Sequence, residues 1–497
     1  MKKQRLAGIL MPISSLPSPY GIGTLGDAAY RFIDFLYDSG MKIWQMLPIL
    51  PTGYGDSPYQ ALSATALNFY YIDLELLEKE GLIFKCEYES VDFGSNPERV
   101  DYEKLFLYRA AVLKIAYKRY NKDKEEFRDF IKSGEYRDFS VFMALKERHG
   151  FSAFDLWKKE FRCYNRKNVD RFISENSEEI AFWEWTAFVF LKQWRQLKEY
   201  ANSMGILLMG DIPIYVAYDS LENWKHGKEL FMLDNKGKLA SVAGVPPDAF
   251  SDDGQLWGNP LFNWKRREPY LWWDKRIEFS EKMFDIIRID HFRAFSAFYA
   301  IDKKETSAKC GRWLEGPGAE LFKGKENLNI VAEDLGQIDN KVRELLLETG
   351  YPGMRVLEFA FDGNEENEHK PSNYHENIFA YTGTHDNSPL VSYIESLSTK
   401  DLSVFDYDLK RECERLGVFF ENESSEKRAE CAIKLLLRSR AMAVILPMQD
   451  ILFMRESSRI NKPSTLSTDN WSYRFLPSHF SKAVKDYIKE LMLYRNM

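Results

Sequence analysis

The sequence predicts an α/β protein built on a (β/α)8 TIM barrel. The prediction depends on eight short apolar runs bounded by turn residues and on the helical patterns between them. The runs are mostly continuous rather than alternating in polarity, which is typical of parallel strands buried on both faces. They lie at 7–13, 42–49, 206–216, 286–292, 329–334, 354–361, 378–386 and 443–450.

Two of the intervening helices can be predicted together with their ends. A helix over 26–40 has Asp27 as its expected N-cap and a glycine as its last residue. A second helix over 338–350 has Asp339 or Asn340 as its cap and again ends at a glycine. Strand and helix therefore alternate along the chain, which indicates parallel pairing of the strands.

The chain has 497 residues, whereas a plain barrel needs about 250, so about half of it must be insertion. The whole chain, 1–497, is predicted to be a single catalytic barrel. Its insertions are expected at about 65–200 (mainly helical, with long helices in 101–149 and 172–203), at 217–285 (loop-rich, with little helical periodicity) and at 387–442. Each insertion follows the C-terminal end of a strand, which is the face where barrels place their active sites.

Composition excludes several classes of function. The net charge is −7 and there is no basic block, so a nucleic-acid partner is not expected. The longest nearly apolar stretches, 6–13 and 441–448, have eight residues each, whereas a membrane span needs about 20. The first of them follows MKKQR but is short, contains Pro12 and precedes no cleavage site, so no signal peptide is expected. Five widely spaced cysteines without a CxxC motif indicate reduced thiols and a cytoplasmic location.

Polar residues cluster where the predicted strands end. They are Asp211, Arg288, Asp290, His291, Glu333, Asp334, Glu358, His385, Asp386, Gln449 and Asp450. A single aspartate at a strand end is usually a cap or loop residue, but five such ends in one chain indicate an active site. Asp334 and Asp450 are the members most easily explained as structural. Glu358 is explained equally well as a core residue paired with Arg355 or Arg288.

The residue types in this cluster fit glycoside cleavage. Arg288 and Asp290 are two apart on one strand and share a face, so the arginine should lower the pKa of Asp290 and keep it ionised as a nucleophile. Glu333, partly desolvated near another carboxylate, should have a raised pKa, as a general acid requires. Two carboxyl groups with different pKa values cleave glycosidic bonds. His291 and His385 are either neutral donors there or packing residues.

Aromatic residues make up 15% of the chain, and several occur in Gly- and Pro-rich sequence rather than on periodic elements. Such rings stack on the apolar faces of sugars, with core packing as the alternative. The set comprises Tyr54, Tyr59, Phe250, Trp257, Trp264, Trp272 and Trp273. Metal binding is the main rival hypothesis, but HxH, HExxH and cysteine clusters are missing from the sequence. A GxSxG elbow and a nucleotide-binding glycine loop are missing as well.

Long segments of the chain resemble the 4-α-glucanotransferases of glycoside hydrolase family 77, the amylomaltases or disproportionating enzymes. The resemblance runs nearly end to end. It is carried by AGILMPISSLPSPYGIGTLG (7–26), WQMLPILPTGYGDSPYQALSA (44–64), GDIPIYVAYDS (210–220), VAGVPPDAFSDDGQLWGNPLFNW (242–264), RIDHFRAF (288–295), VAEDLG (331–336), YTGTHDN (381–387), QDIL (449–452) and NWSYR (470–474). Two segments, 220–231 and 453–465, depart from the family pattern, which leaves the distal groove and the preferred chain length open.

The resemblance implies a barrel without a C-terminal β-sandwich, and transfer of α-1,4-glucan segments without a cofactor or a metal. It implies that Asp290 is the nucleophile, Glu333 the general acid/base and Asp386 the transition-state stabiliser, with 244–250, in the 217–285 insertion, as a lid over the substrate. The implied substrate contacts are Tyr54, Asp56, Ser57, Asp211, Pro247, Asp248, Phe250, Trp257, Arg288, His291, His385 and Asn461.

The partners implied by the resemblance are maltodextrins, amylose and glycogen branches, with glucose as an acceptor, and the protein is expected to be a monomer or a weak homodimer. An α-glucan hydrolase is the first alternative. A metal-dependent barrel hydrolase and a weakly active glucan-binding protein are further alternatives.

Overall fold

A computed structural model describes residues 5–53, 55–247, 253–336 and 338–496. The strands in these residues are β1 (Leu6–Leu10), β2 (Ile43–Gln45), β3 (Leu207–Ile212), β4 (Ser241–Val245), β5 (Gln255–Pro260), β6 (Ile286–Ile289), β7 (Ala297–Asp302), β8 (Arg312–Glu315), β9 (Ile330–Ala332), β10 (Gly353–Val356), β11 (Ile378–Tyr381) and β12 (Ala443–Pro447).

The α-helices in the same ranges are α1 (Asp27–Ser39), α2 (Leu74–Lys79), α3 (Tyr102–Arg119), α4 (Glu125–Ser133), α5 (Arg137–Arg148), α6 (Arg166–Glu175), α7 (Ser177–Ser203), α8 (Leu221–Leu230), α9 (Glu268–Met283), α10 (Asn340–Thr349), α11 (Leu390–Ser396), α12 (Thr399–Leu416), α13 (Ser425–Arg438), α14 (Met448–Ile451) and α15 (Lys482–Asn496). No helix of the described ranges is long and apolar enough to cross a membrane.

Eight parallel strands form the barrel in the order β10-β11-β12-β1-β2-β3-β6-β9. The two end strands meet where Ala332 N donates to Pro352 O at 2.9 Å and Met354 N donates to an Asp334 carboxylate oxygen at 2.6 Å. All eight strands lie in the predicted apolar runs except that β1 and β10 each begin one residue earlier, so the predicted fold class is confirmed. The strands end before the runs do, because the chain leaves the sheet at the rim and forms the loops of the site.

The interior of the barrel is packed with side chains from every strand, among them Leu10, Ile43, Met209, Ile286, Val331, Met354, Phe379 and Ile445. It is therefore a core and not a channel, and a substrate can reach the barrel only at its rim. Deep in this core, the Tyr381 hydroxyl donates to the Gln45 side-chain oxygen at 2.9 Å.

Of the two predicted helix N-caps, one is wrong and one is confirmed. Gly26 is the N-cap of α1 and Asp27 is its first helical residue, so the prediction of Asp27 as cap was wrong. Asp339 does cap α10, because its side chain accepts a hydrogen bond from Val342 N at 3.1 Å. Each helix is followed by a glycine with positive φ, as predicted.

A second, antiparallel sheet in the order β5-β4-β7-β8 covers part of the C-terminal rim, and the sequence did not predict it. The 217–285 segment also holds two helices, α8 and α9, where little helix was expected. Trp272 and Trp273 were predicted to lie in loop sequence, but both are on α9. The many aromatic and charged residues of this stretch conceal its helical period.

Candidate active site

The two candidate catalytic carboxyl groups follow neighbouring strands. Ile289 at the end of β6 is paired with Ala332 at the end of β9, and Asp290 and Glu333 are the next residues of their chains. Asp290 N donates to Ile212 O, and Glu333 N donates to Ile289 O, each at 3.0 Å. Since neighbouring strands lie about 4.8 Å apart, this register places the two residues side by side at the rim.

Arg288 holds Asp290 through a buried ion-pair network. Its guanidinium contacts an Asp290 carboxylate oxygen at 2.9 Å and both oxygens of Asp211, at 2.8 and 2.6 Å. The Tyr59 hydroxyl donates to Asp211 at 2.7 Å. Arg288 and Asp211 are buried, so their positions are fixed before a substrate binds.

Backbone groups hold Glu333 in one orientation. One carboxylate oxygen accepts a hydrogen bond from His291 N at 2.7 Å and the other accepts from Leu335 N at 2.8 Å. His291 has a φ of 51°, a left-handed conformation that a non-glycine residue seldom adopts. The Trp257 ring meets the His291 ring edge to face, with 5.0 Å between the ring centroids.

Burial separates the pKa values at this site. The pKa of Asp290 is raised to about 6 by burial, and the positive charge of Arg288 opposes this rise. Arg288 lowers the pKa of Asp290 as expected, but the cost of desolvation exceeds this attraction, so the net shift is upward. Burial raises the pKa of Glu333 to about 8, with Arg288 lowering it and Asp290 raising it further. Burial also lowers the pKa of His291 to about 3, so its ring is neutral.

These values predict a bell-shaped dependence of kcat/KM on pH. Activity should fall below about pH 6, where Asp290 takes up a proton, and above about pH 8, where Glu333 loses one. Because Asp290 and Glu333 interact, the two limbs report the titration of the pair and not of either residue alone. Initial rates with maltotriose across this range would show both limbs, and Glu333→Gln should remove the alkaline one. An alkaline limb that survives in this variant would contradict the assignment.

Asp386 lies on the turn after β11 and is held by a segment distant in sequence. Its carboxylate accepts a hydrogen bond from the Asn461 side-chain amide at 2.6 Å and lies 3.4 Å from His385 Nε2. Arg459 donates to the Asp386 carbonyl at 2.6 Å. The ring of His385 stacks on Tyr59, with 4.9 Å between the centroids, so this turn joins the Arg288 network.

Asn461→Ala is expected to lower kcat by roughly 10- to 100-fold, because a hydrogen bond to a charged group contributes about 1.5–3 kcal/mol. The matched control is Asn496→Ala at the exposed end of α15, which should leave kcat unchanged. Saturation kinetics with maltotriose would separate the effects. A rise in KM at constant kcat would mean that Asn461 acts on the sugar and not through Asp386.

The other residues predicted to contact the substrate lie in several parts of the structure. Asp56 and Ser57 lie in the loop between β2 and Tyr59, and burial raises the pKa of Asp56 to about 6. Trp257 lies on β5 and donates from its ring nitrogen to the Gln255 side chain at 3.1 Å. Pro247 follows β4. Tyr54, Asp248 and Phe250 lie outside the described residues.

Three of the aromatic candidates for sugar contact pack against the core. Trp264, Trp272 and Trp273 surround the buried ring of Phe262, with centroids 5.2–6.2 Å away. Trp273 is fully buried. For Trp273 the core-packing alternative is therefore correct, whereas Trp264 and Trp272 are partly buried against the core and Tyr59 lies at the site.

The remaining carboxyl groups at the strand ends have structural partners. Asp334 pairs with Arg355 at 2.9 Å, and Asp450 accepts a hydrogen bond from Leu390 N at 2.7 Å. The sequence left Glu358 open as either a site residue or a core residue paired with Arg355 or Arg288. Among the described residues it forms an ion pair with neither arginine. It accepts a hydrogen bond from Asn387.

Sequence reasoning missed Arg459, which lies in a segment that departs from the family pattern and offered no signal. The described residues contain no group of three or more His, Cys, Asp or Glu side chains that could hold a metal ion.

Comparisons with known proteins show the family to which the chain belongs. The sequence profile of glycoside hydrolase family 77, described as 4-α-glucanotransferase, matches residues 11–479. A 4-α-glucanotransferase from Clostridium butyricum is 41% identical over 492 residues, which cover 97% of this chain and 98% of the relative. One from Aquifex aeolicus is 40% identical, with 98% of each chain covered.

Among solved structures, an amylomaltase from Streptococcus agalactiae in complex with acarbose superimposes with a TM-score of 0.93 at 39% identity and covers 99% of both chains. The match of the family profile and the full-length identity to these relatives lead to one conclusion. The chain belongs to the 4-α-glucanotransferase family, glycoside hydrolase family 77.

Proposed function

We propose that the protein is a 4-α-glucanotransferase that moves α-1,4-glucan segments from a donor maltodextrin to the 4-hydroxyl of an acceptor glucan or glucose. One observation carries the proposal. Two carboxyl groups with different pKa values, the partly buried Asp290 and the buried Glu333, follow adjacent strands of the barrel. Asp290 is largely ionised near neutral pH and Glu333 largely protonated, which are the forms that a nucleophile and a general acid require.

The proposed reaction is a double displacement with retention. Asp290 attacks the anomeric carbon while Glu333 gives its proton to the oxygen of the leaving glucan, which forms a covalent glucosyl ester. Glu333, now ionised, then takes the proton of the acceptor 4-hydroxyl, and that oxygen displaces Asp290. Asp386 lies at the same rim, where its carboxylate stabilises the positive charge that develops on the sugar ring, and His385 lies beside it as a supporting residue. A separation of about 5–5.5 Å between the two carboxyl groups remains a prediction.

Transfer requires that an acceptor sugar reaches the ester before water does. The Trp257 ring, held against His291 beside Glu333, supports the proposal of an acceptor platform there. The 217–285 segment would act as the lid, and 65–200 and 387–442 as further insertions of the single barrel domain. Neither His291 nor Trp257 is fully exposed, which supports a site that restricts water.

The proposal also covers the substrates, the location and the oligomeric state of the protein. The substrates would be maltodextrins, amylose and glycogen or starch branches, with Asp56, Ser57, Asp211 and Pro247 among the contacts. We propose a cytoplasmic location because all five cysteines are free thiols. We also propose a monomer or weak homodimer. No cofactor enters the proposed steps.

Product analysis after incubation with maltotriose alone tests this function. Transfer predicts glucose and a ladder of longer maltodextrins while the total of reducing ends stays constant. Rising reducing ends would mean an α-glucan hydrolase, and absence of products would favour a glucan-binding protein. A parallel incubation with EDTA tests the metal-dependent alternative, which would be supported if only that sample lost activity.

A further inference from the structure

A buried glutamate lies directly beneath the turn that carries Asp386. Glu358 follows β10 and is 8% exposed. Its backbone N donates to Thr382 O at 3.2 Å, and its backbone oxygen accepts from the Tyr393 hydroxyl of α11 at 2.9 Å. The side chain is therefore fixed against the start of the 383–387 turn, outside the Arg288 network.

One oxygen of Glu358 supports this turn through a short chain of hydrogen bonds. It accepts from the Asn387 side-chain amide at 2.8 Å. The amide oxygen of Asn387 accepts from both the backbone N and the hydroxyl of Thr384, at 2.9 and 2.8 Å. Asp386 N in turn donates to the Thr384 hydroxyl at 3.3 Å. Glu358 thus supports the backbone at Asp386 through Asn387 and Thr384. Asn461 and Arg459 contact Asp386 directly.

The other oxygen of Glu358 is buried and accepts no hydrogen bond from the described part of the chain. It lies at Gly383, where a Cβ atom would come within 3.0 Å of it. No cation forms an ion pair with Glu358 among the described residues. A buried carboxylate with one hydrogen bond and no ion pair is very costly, and a neutral carboxyl group in the same place costs less.

The charged and titratable groups around Glu358 come from three elements. Asp450 of α14 adds a second buried carboxyl group, and it has its own donors in Leu390 N and the Thr382 hydroxyl. Tyr393 approaches from α11, and Arg459 and Glu456 from the segment after α14. Burial and Asp450 raise the pKa of Glu358 well above its usual value, against the smaller opposing effects of Asn387 and Arg459. Asp450 is therefore the better site for a single negative charge.

We propose that Glu358 is a positioning residue that works in its protonated, neutral form and holds the Asp386 turn in place through Asn387. This inference deepens the proposed function and depends on it for the role of Asp386. Only the uncharged acceptor oxygen is needed, so glutamine should replace Glu358 and alanine should not.

The kinetic test compares Glu358→Ala with Glu358→Gln on maltotriose. The alanine variant should lose at least about tenfold in kcat with KM little changed, because a misplaced Asp386 weakens transition-state binding. The glutamine variant should restore kcat to within about threefold of the parent. If alanine does not fold, Asn387→Ala removes the same hydrogen bond and should lower kcat likewise. Equal loss in the glutamine and alanine variants, or no loss in alanine, would overturn the proposal.

A stability measurement tests the protonation state without relying on activity. A carboxyl group whose pKa is raised by folding adds stability below its unfolded pKa and loses that contribution as the pH rises through its folded pKa. The Tm of Glu358→Gln relative to the parent should therefore increase between about pH 5 and about pH 8. The control Glu344→Gln, at an exposed position of α10, should show no such trend. A flat or falling difference for Glu358→Gln would mean that Glu358 is ionised.

These readouts separate the failure of this inference from the failure of the proposed function. If the protein did not transfer glucans at all, the pH trend in Tm would still appear. If it did transfer them and the trend were absent, only the inference about Glu358 would be wrong.

Discussion

Asp290→Asn is expected to lower the rate of transfer from maltotriose by at least about 10³-fold, because the amide cannot form the ester on which both steps depend. The fold should survive, since the amide is isosteric and can still accept a hydrogen bond from Arg288, which keeps its contacts with Asp211. The residual rate and the thermal unfolding curve of the purified variant together provide the measurement.

The matched control is Asp486→Asn on α15, whose side chain is 52% exposed and far from the rim in sequence. It should keep the parental rate. If Asp290→Asn kept more than about a tenth of the parental kcat with the fold intact, Asp290 would not be the nucleophile.

Glu333→Gln is expected to lower transfer from maltotriose by about 10²- to 10⁴-fold, which is the usual contribution of a general acid. The loss should depend on the leaving group. An α-maltosyl fluoride releases fluoride without needing a proton, so its first step should lose far less than the cleavage of maltotriose. A burst of fluoride release in rapid mixing experiments would show that step directly.

The control for this variant is Glu348→Gln, on the exposed face of α10, which should behave as the parent with both substrates. An equal loss on the fluoride and on maltotriose would show that Glu333 does not act as the acid. Glu333 would then be a positioning residue for Asp290 or for the backbone of His291, whose N donates to Glu333 at 2.7 Å.

The barrel could be predicted from the sequence because its signals are local. Strands such as β9 and β12 are short apolar runs, buried on both faces, that any window of the chain reveals. The antiparallel sheet has no such signal. Its strand β5 reads QLWGNP, and β4 pairs with β7 across more than fifty residues, so the pairing depends on contacts that a linear pattern does not show.

The same distinction holds at the site. Arg288 and Asp290 are two residues apart, and their contact follows from strand geometry. The contact of Asn461 with Asp386 joins residues 75 apart, and no local pattern indicates it. The pKa of Asp290 could not be predicted either, because the sequence shows the neighbouring arginine but not the extent of burial. The partner of Glu358 could not be decided from the sequence, because the strand ends before it and alternation no longer sets the direction of its side chain.

Trapping of the glycosyl ester is the most direct test of Asp290 as the nucleophile. The Glu333→Gln variant would be incubated with α-maltosyl fluoride, stopped in acid, digested and analysed by mass spectrometry. The peptide containing Asp290 should gain the mass of one maltosyl group, and Asp290→Asn in the same background should abolish the label. A label on another residue, or fluoride release in a burst without any label, would contradict the assignment of Asp290 as the nucleophile.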